Sequence, residues 1–437
     1  MKKIMPSTVV LMNREKGKLV KEKQSLLKKI GLMLTAVGPG IFMIGYNIGT
    51  GSVTNMASAG SRYGLSLFWV LMLSCTFTYV MLVAYGQLTL VTGTTSLQLY
   101  KRHLPYGKWI ALYSIFTLAM GEFLGLAGVM GVVSDLIREW SRILFGGGGF
   151  NTIAVAAVIL SLCYYLLWVG RYSKFEKILI TFVLLMALSF ILSMFMVVPE
   201  PKELISGLIP GIPDEPNAFL IIAGMTGTTC GAIVFIMRSI TVAEKGWTIK
   251  NLRQEKIDAF VSASLMLLLS GAIMACAAGT LYRMNTPIEN TVDMVTILEP
   301  VAGRFAISVF VVGIIGAGVS TVFPIALILP WLICDYRGIK SDIQSPMFRI
   351  LGGIGLLAGL TVPIFGGRPV FVMIASSAFQ ATIMPVATLA AIVLLNNRKI
   401  MGDHKAGIWL NIGMFATLVY AFITTYMGVI GLRDTLF

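Results

Sequence analysis

Charge is scarce in this chain. Asp, Glu, Lys and Arg make up 12% of its 437 residues, against 57% apolar residues; a soluble domain carries about twice that charge, so a water-soluble or disordered reading is excluded. Histidine occurs only twice, and His103 and His404 both fall in predicted loops, which makes them poor metal ligands. The five cysteines (Cys75, Cys163, Cys230, Cys276 and Cys334) lie inside apolar stretches without metal-ligand spacing, so they read as small hydrophobes rather than a disulfide framework. No nucleophile–base pair or cofactor motif is visible, which argues against an enzyme and against a cofactor. No secretory leader is expected either, since the first 29 residues hold one short apolar stretch, 8–12, among basic residues.

Apolar stretches of about 20 residues recur from end to end, the length a helix needs to cross a bilayer with its backbone satisfied internally. Eleven spans are predicted, near 31–58, 64–92, 109–136, 151–170, 178–198, 218–244, 257–282, 305–333, 349–366, 369–395 and 407–431. The fold class is therefore an all-α polytopic membrane protein. With the N-terminus placed inside, 25 of the 34 Lys and Arg fall on the cytoplasmic side, eight fall outside, and Arg238 lies within a span. This bias predicts a cytoplasmic N-terminus, an external C-terminus and an odd number of crossings in an inner (plasma) membrane. It also accounts for the net charge of +14 without nucleic acid, because the basic loops face an anionic leaflet.

Two spans have unusual composition. The first carries Gly38-Pro39-Gly40 and then Gly45-Tyr46-Asn47-Ile48-Gly49-Thr50-Gly51-Ser52 at mid-depth; the sixth carries Gly224-Met225-Thr226-Gly227-Thr228-Thr229-Cys230-Gly231. Glycines cost about 1 kcal/mol each in a helix interior and the hydroxyls compete for the backbone, so both spans are predicted to break. Breaks five spans apart predict two five-helix repeats of opposite membrane orientation, with a substrate site between the broken helices. The expected division is 1–29 a basic tail, 30–198 the first repeat, 199–216 an external loop, 217–398 the second repeat, and 399–437 a loop and eleventh helix. Glycine clusters in spans eight (Gly313, Gly316, Gly318) and nine (Gly352, Gly353, Gly355) read as close helix packing instead.

Glu122 lies midway along the third span, where an acid is expensive and usually functional, and it is the candidate proton carrier. Arg238, about 9 Å from the cytoplasmic end of span six at helical rise, has three readings: it snorkels, pairs with Glu122 or Glu244, or belongs to a proton route.

Gly38-Pro39-Gly40, Ala59-Gly60-Ser61-Arg62-Tyr63-Gly64, Glu122-Phe123-Leu124-Gly125 and Asn397-Arg398-Lys399-Ile400-Met401-Gly402 occur in this order along the chain. They resemble the first, third and tenth spans of the Nramp (natural resistance-associated macrophage protein) family of proton-coupled divalent-metal transporters. That resemblance implies a LeuT-type 5+5 inverted repeat of the APC superfamily, alternating access, and a divalent cation as substrate. The family's metal ligands are replaced. Its Asp-Pro-Gly-Asn falls on Gly49-Thr50-Gly51-Ser52, its Met-Pro-His on Gly231-Ala232-Ile233, and an acid one turn before Glu122 on Ala119. In the same frame the third reading of Arg238 puts it at the position of a histidine on the family's proton route, the other two staying open, and Ser377 lies near a coordinating glutamine.

The candidate substrate-binding residues are thus Asn47, Gly49, Thr50, Gly51, Ser52, Thr228, Thr229, Cys230, Gly231, Ser377 and Gln380, with Ser376 beside them; Glu122 and Arg238 are the proton-coupling candidates, and no confident metal ligand is named. Gly49-Thr50-Gly51 also resembles the Gly-x-Gly turn of amino-acid permeases, where helix N-terminal amides hold a carboxylate. An amino acid or other small solute, and a transporter-like receptor, are therefore the alternatives. The expected partners are a small solute or ion and the lipid bilayer.

Overall fold

The computed structural model describes residues 49–169, 188, 190–192, 194–195, 201–215, 217–290, 293 and 299–436. The labelled helices are α1 (Thr50–Tyr63), α2 (Phe68–Thr92), α3 (Ser96–His103), α4 (Gly107–Phe145), α5 (Thr152–Val169), α6 (Ala218–Thr229), α7 (Ala232–Glu244), α8 (Leu252–Ala277), α9 (Glu299–Arg337), α10 (Pro346–Ala358), α11 (Pro369–Ala381), α12 (Met384–Asn396) and α13 (Ile408–Leu436). Among the described residues nine segments are long and apolar enough to cross a membrane. Most of the expected fifth span, most of the expected first, Gly38-Pro39-Gly40 and Asn47 lie outside the described residues.

Sequence chemistry explains most of the boundaries. α2 stops at Gly93, whose φ of 62° lets its N–H reach back to the Thr89 carbonyl at 2.8 Å. Ser345 caps α10 through the Phe348 amide, with Pro346 at the first helical position. Span six divides at Cys230–Gly231, where Gly231 is extended (φ −68°, ψ 144°) between α6 and α7. On the described side of span one, α1 begins at an equally extended Gly49 (φ −83°, ψ −172°).

Two irregularities were not expected. Span ten is interrupted between α11 and α12 at Thr382–Ile383, because Pro385 in the first turn of α12 has no N–H to continue the ladder. Span seven ends in a π-helical turn, Ala278–Tyr282. The glycine clusters behave as packing sites where they are described: a Cβ at Gly352 would stand 3.0 Å from Leu327, and one at Gly355 2.9 Å from the Ala326 carbonyl.

The apolar core has two layers. One gathers α1, the start of α2, Leu126–Leu136 of α4 and most of α6; the other gathers the end of α2, Ala111–Leu118 of α4, α7 and α12. Between them runs a polar seam holding Thr78, Glu122, Thr226 and Gln380. Tyr420 of α13 ties it together, with hydrogen bonds of 2.8 Å to both Ser74 and Thr226, while Thr78 donates to the Thr229 carbonyl at 2.9 Å. α11 packs against both α4 and α6 across this seam.

Candidate functional site

A cavity of about 60 Å³ opens in the seam where α1 begins and α6 ends. Gly49, Gly51 and Ser52 form one wall, Gly227 and Thr228 a second, Ser376, Ser377 and Gln380 a third, and Glu122 with Gly125 and Val129 of α4 a fourth. Ile233, Val234, Thr321, Ile325 and Met373 complete it. Eight residues expected at a site from sequence therefore meet here: Gly49, Gly51, Ser52, Glu122, Thr228, Ser376, Ser377 and Gln380.

Close helix approach makes the meeting possible. A Cβ on Gly227 would run into the Ser377 carbonyl, so only glycine lets α6 lie this near α11. A Cβ on Gly49 would come within 2.6 Å of Thr321 Oγ1. Asn55, not singled out from the sequence, fixes the start of α1: its Nδ2 donates to the Gly51 carbonyl at 2.8 Å and to Ser377 Oγ at 3.1 Å. Ser52 shares a 3.0 Å hydrogen bond with Ser270 of α8, and Ser376 donates to the Gly121 carbonyl at 2.9 Å.

Four expected residues stand apart from the cavity lining. Thr50 turns toward α9, where its hydroxyl would lie 3.1 Å from a Cβ on Gly318, and that hydroxyl is buried without a hydrogen-bond partner. Thr229 Oγ1 is likewise buried and unpartnered. Cys230 packs into the apolar layer of α2 and α7, because the chain turns its side chain outward as it leaves α6. Gly231 follows it as the N-cap of α7. Thr321 and Met373 are the cavity residues that sequence reasoning missed. For Thr321 a signal was available, since Pro324 lies three residues on and interrupts the backbone ladder inside α9.

Two of the three readings of Arg238 are corrected. It neither snorkels nor pairs with Glu122 or Glu244: it is fully buried, with Nη2 2.8 Å from Glu255 Oε1 and Nη1 2.5 Å from Asp258 Oδ2, both on α8. The seventh span was expected to begin at 257, but α8 starts at Leu252 and carries Glu255 and Asp258 on one face.

The donors around the cavity are oxygens (the Glu122 carboxylate, the hydroxyls of Ser52, Thr228, Thr321, Ser376 and Ser377, and the Gln380 amide) together with the Met373 thioether. The positive N-terminal ends of α1 and α7 approach it, and the carbonyl end of α6 and the acid of Glu122 oppose them. Among the described residues no group of three or more His, Cys, Asp or Glu could form a closed metal cage. The arrangement suits a partly hydrated ion held transiently between half-helices.

A sequence model described as natural resistance-associated macrophage protein-like (Nramp) matches residues 40–431. The divalent metal cation transporter MntH of Chromohalobacter salexigens is 26% identical over 392 residues, 84% of either chain. The natural resistance-associated macrophage protein 2 homolog of Dictyostelium discoideum is 23% identical over 384 residues, covering 84% of this chain and 59% of its own. Among solved structures, a mutant of the Eremococcus coleocola manganese transporter superposes with a TM-score of 0.71 at 12% identity, covering 91% of this chain and 86% of that one. A nucleobase-cation-symport-1 family transporter does so at 0.52 and 17%, covering 91% and 90%. The expected LeuT-type fold is the one these likenesses share, and the chain belongs to the Nramp family of membrane transporters.

Proposed function

We propose that the chain is a secondary-active carrier that moves a divalent metal cation by alternating access, with proton movement linked to it through Glu122. The observation that carries this reading is the cavity at the Cys230–Gly231 break, facing the extended start of α1 and reached by a buried acid. Curated relatives described as divalent metal cation transporters point to the same class of substrate. Volume supports it as well: a water needs roughly 10–15 Å³ on this scale, so about 60 Å³ holds an ion with part of its hydration shell. An organic solute at the Gly49–Gly51 turn would need more room than this cavity offers.

Seven oxygen-bearing side chains and one thioether are a borderline donor set, matched to a cation such as Mn²⁺ better than to a strictly oxygen-seeking one. Glu122 supplies the charge; a proton and the cation compete for it. The membrane is an inner (plasma) membrane with the N-terminus cytoplasmic in this reading, and the repeats are 30–198 and 217–398.

The test is thermal unfolding of the purified full-length protein in Mn²⁺, Mg²⁺ and amino acids, with Mn²⁺ counterflow in proteoliposomes. Mn²⁺ at a hundred times its Kd should stabilise the fold by about 2.7 kcal/mol. Counterflow separates a carrier from a receptor that only binds. Glu122→Gln should abolish uptake driven by a pH gradient. Stabilisation by an amino acid and by no metal would overturn the substrate; unchanged proton coupling in Glu122→Gln would remove that residue from the mechanism.

A further inference from the structure

The Arg238 cluster carries more charge than it cancels. Nε and Nη2 of Arg238 reach Glu255 Oε1 at 3.0 and 2.8 Å, Nη1 reaches Asp258 Oδ2 at 2.5 Å, and Nη2 also lies 3.3 Å from the Glu255 carbonyl. Arg238 and Glu255 are 0% exposed and Asp258 2%. Among the described residues, two carboxylates against one guanidinium leave a net charge of −1 away from solvent, which is strongly unfavourable unless something neutralises it. Glu255 Oε2 is buried and makes no hydrogen bond.

We propose that Arg238, Glu255 and Asp258 form a binding site for one exchangeable proton, whose occupancy sets how firmly α7 is held against α8. A proton on Glu255 Oε2 turns that side chain into a neutral acid. Oε1 still accepts from Arg238, and Arg238 with Asp258 remains as a balanced ion pair. Loss of the proton restores the excess negative charge and tightens both carboxylates on the guanidinium.

From α7 the charged group facing Glu255 is Arg238; from α8 they are Asp258 and the exposed Lys256. α2 presents Gly86, where a Cβ would collide with the Glu255 carboxyl, so bare backbone closes that side. α3 meets α7 one residue beyond Arg238 through neutral hydroxyls, Ser96 and Ser239, at 2.8 Å.

Position gives the site its consequence. α7 starts at the Gly231 break, and Ile233 and Val234 of its first turn form part of the cavity wall. Arg238 is five residues beyond Ile233, about 7.5 Å along the same rigid half-helix. Whatever loosens α7 from α8 therefore moves the cavity wall. The role in transport rests on the carrier reading above; the proton site itself does not.

The full-length protein in lipid nanodiscs tests both halves. Infrared difference spectra over a pH titration read buried acids through the C=O stretch that appears on protonation. The titrating band of the wild type should keep one component in Glu122→Gln, and that component should be missing from Glu255→Gln and from Asp258→Asn, each of which leaves Arg238 one carboxylate. In proteoliposomes those two variants should retain Mn²⁺ counterflow within about twofold, as expected when the removed group lies off the substrate path, but lose acceleration by an inward acidic gradient. A band that loses no component in either variant overturns the site. If neither variant folds, the wild type and Glu122→Gln still decide it, because absence of any titrating band in Glu122→Gln overturns the proposal. Unchanged gradient acceleration in a variant whose component is gone overturns the link to α7. A wild type that shows the band and moves no Mn²⁺ supports the site and removes the carrier reading.

Discussion

Glu122 is the acid that reaches the cavity and Met373 the sulfur that does, among the described residues. They define what the site can prefer. A carboxylate with hydroxyls accepts Mg²⁺ and Mn²⁺ alike, whereas a thioether adds affinity only for softer cations. Met373 comes from α11, so the softness absent from Gly231-Ala232-Ile233 re-enters the cavity from another helix. Met373→Leu keeps volume and apolarity and should cost less than about 1.5 kcal/mol of stability. Calorimetric titration should then show the Kd for Cd²⁺ rising about tenfold, equivalent to about 1.4 kcal/mol, with the Kd for Mg²⁺ unchanged. Equal weakening of both cations would mean that Met373 acts only through packing.

At the scale of elements, the site depends on how near α6 and α11 come. Gly227→Ala places a methyl group against the Ser377 carbonyl, and a backbone atom cannot rotate away as a flexible side chain would. Overpacking of that kind costs about 1–3 kcal/mol, so the unfolding midpoint should fall and Mn²⁺ stabilisation should shrink with it. Gly211→Ala, with no atom within 4 Å of the added methyl, is the control and should leave both unchanged. Composition made the broken sixth span legible: glycines together with hydroxyls that compete for the backbone weaken a continuous helix there. The direction of each side chain at the break was not legible, because it depends on which way the backbone turns at Cys230–Gly231. That is why Thr228 lines the cavity while Thr229 and Cys230 do not. Signals were present and unused in two places. Pro385 marks the interruption of span ten, and the spacing of Glu255 and Asp258 puts two acids on one helical face, where a lone intramembrane arginine requires partners.

For the whole molecule, sidedness is the remaining physical question, and it follows from where the basic connections gather. Thr95 hydrogen-bonds Asp335, Lys101 lies over the Tyr336 ring, and Gln87 reaches the His404 carbonyl at 2.9 Å, so the connections near 95, 335 and 404 share one end of the bundle. Arg62 reaches the Ile288 carbonyl at 3.3 Å, Arg283 lies 3.9 Å from Glu203, and Thr435 lies 3.4 Å from Asn217, which places the other connections together at the opposite end. The first end holds the Lys- and Arg-rich connections, and basic loops stay on the cytoplasmic face because translocating them is disfavoured. All five native cysteines are buried, so an introduced thiol labels over a low background. Lys202→Cys and Lys405→Cys both replace exposed residues, one at each end. A membrane-impermeant maleimide should modify Lys202→Cys in intact cells and Lys405→Cys only after permeabilisation. The reverse pattern would put the N-terminus outside and the acidic side of any driving gradient at the wrong end of the carrier; labelling of both without permeabilisation would break the assignment of these two loops to opposite faces.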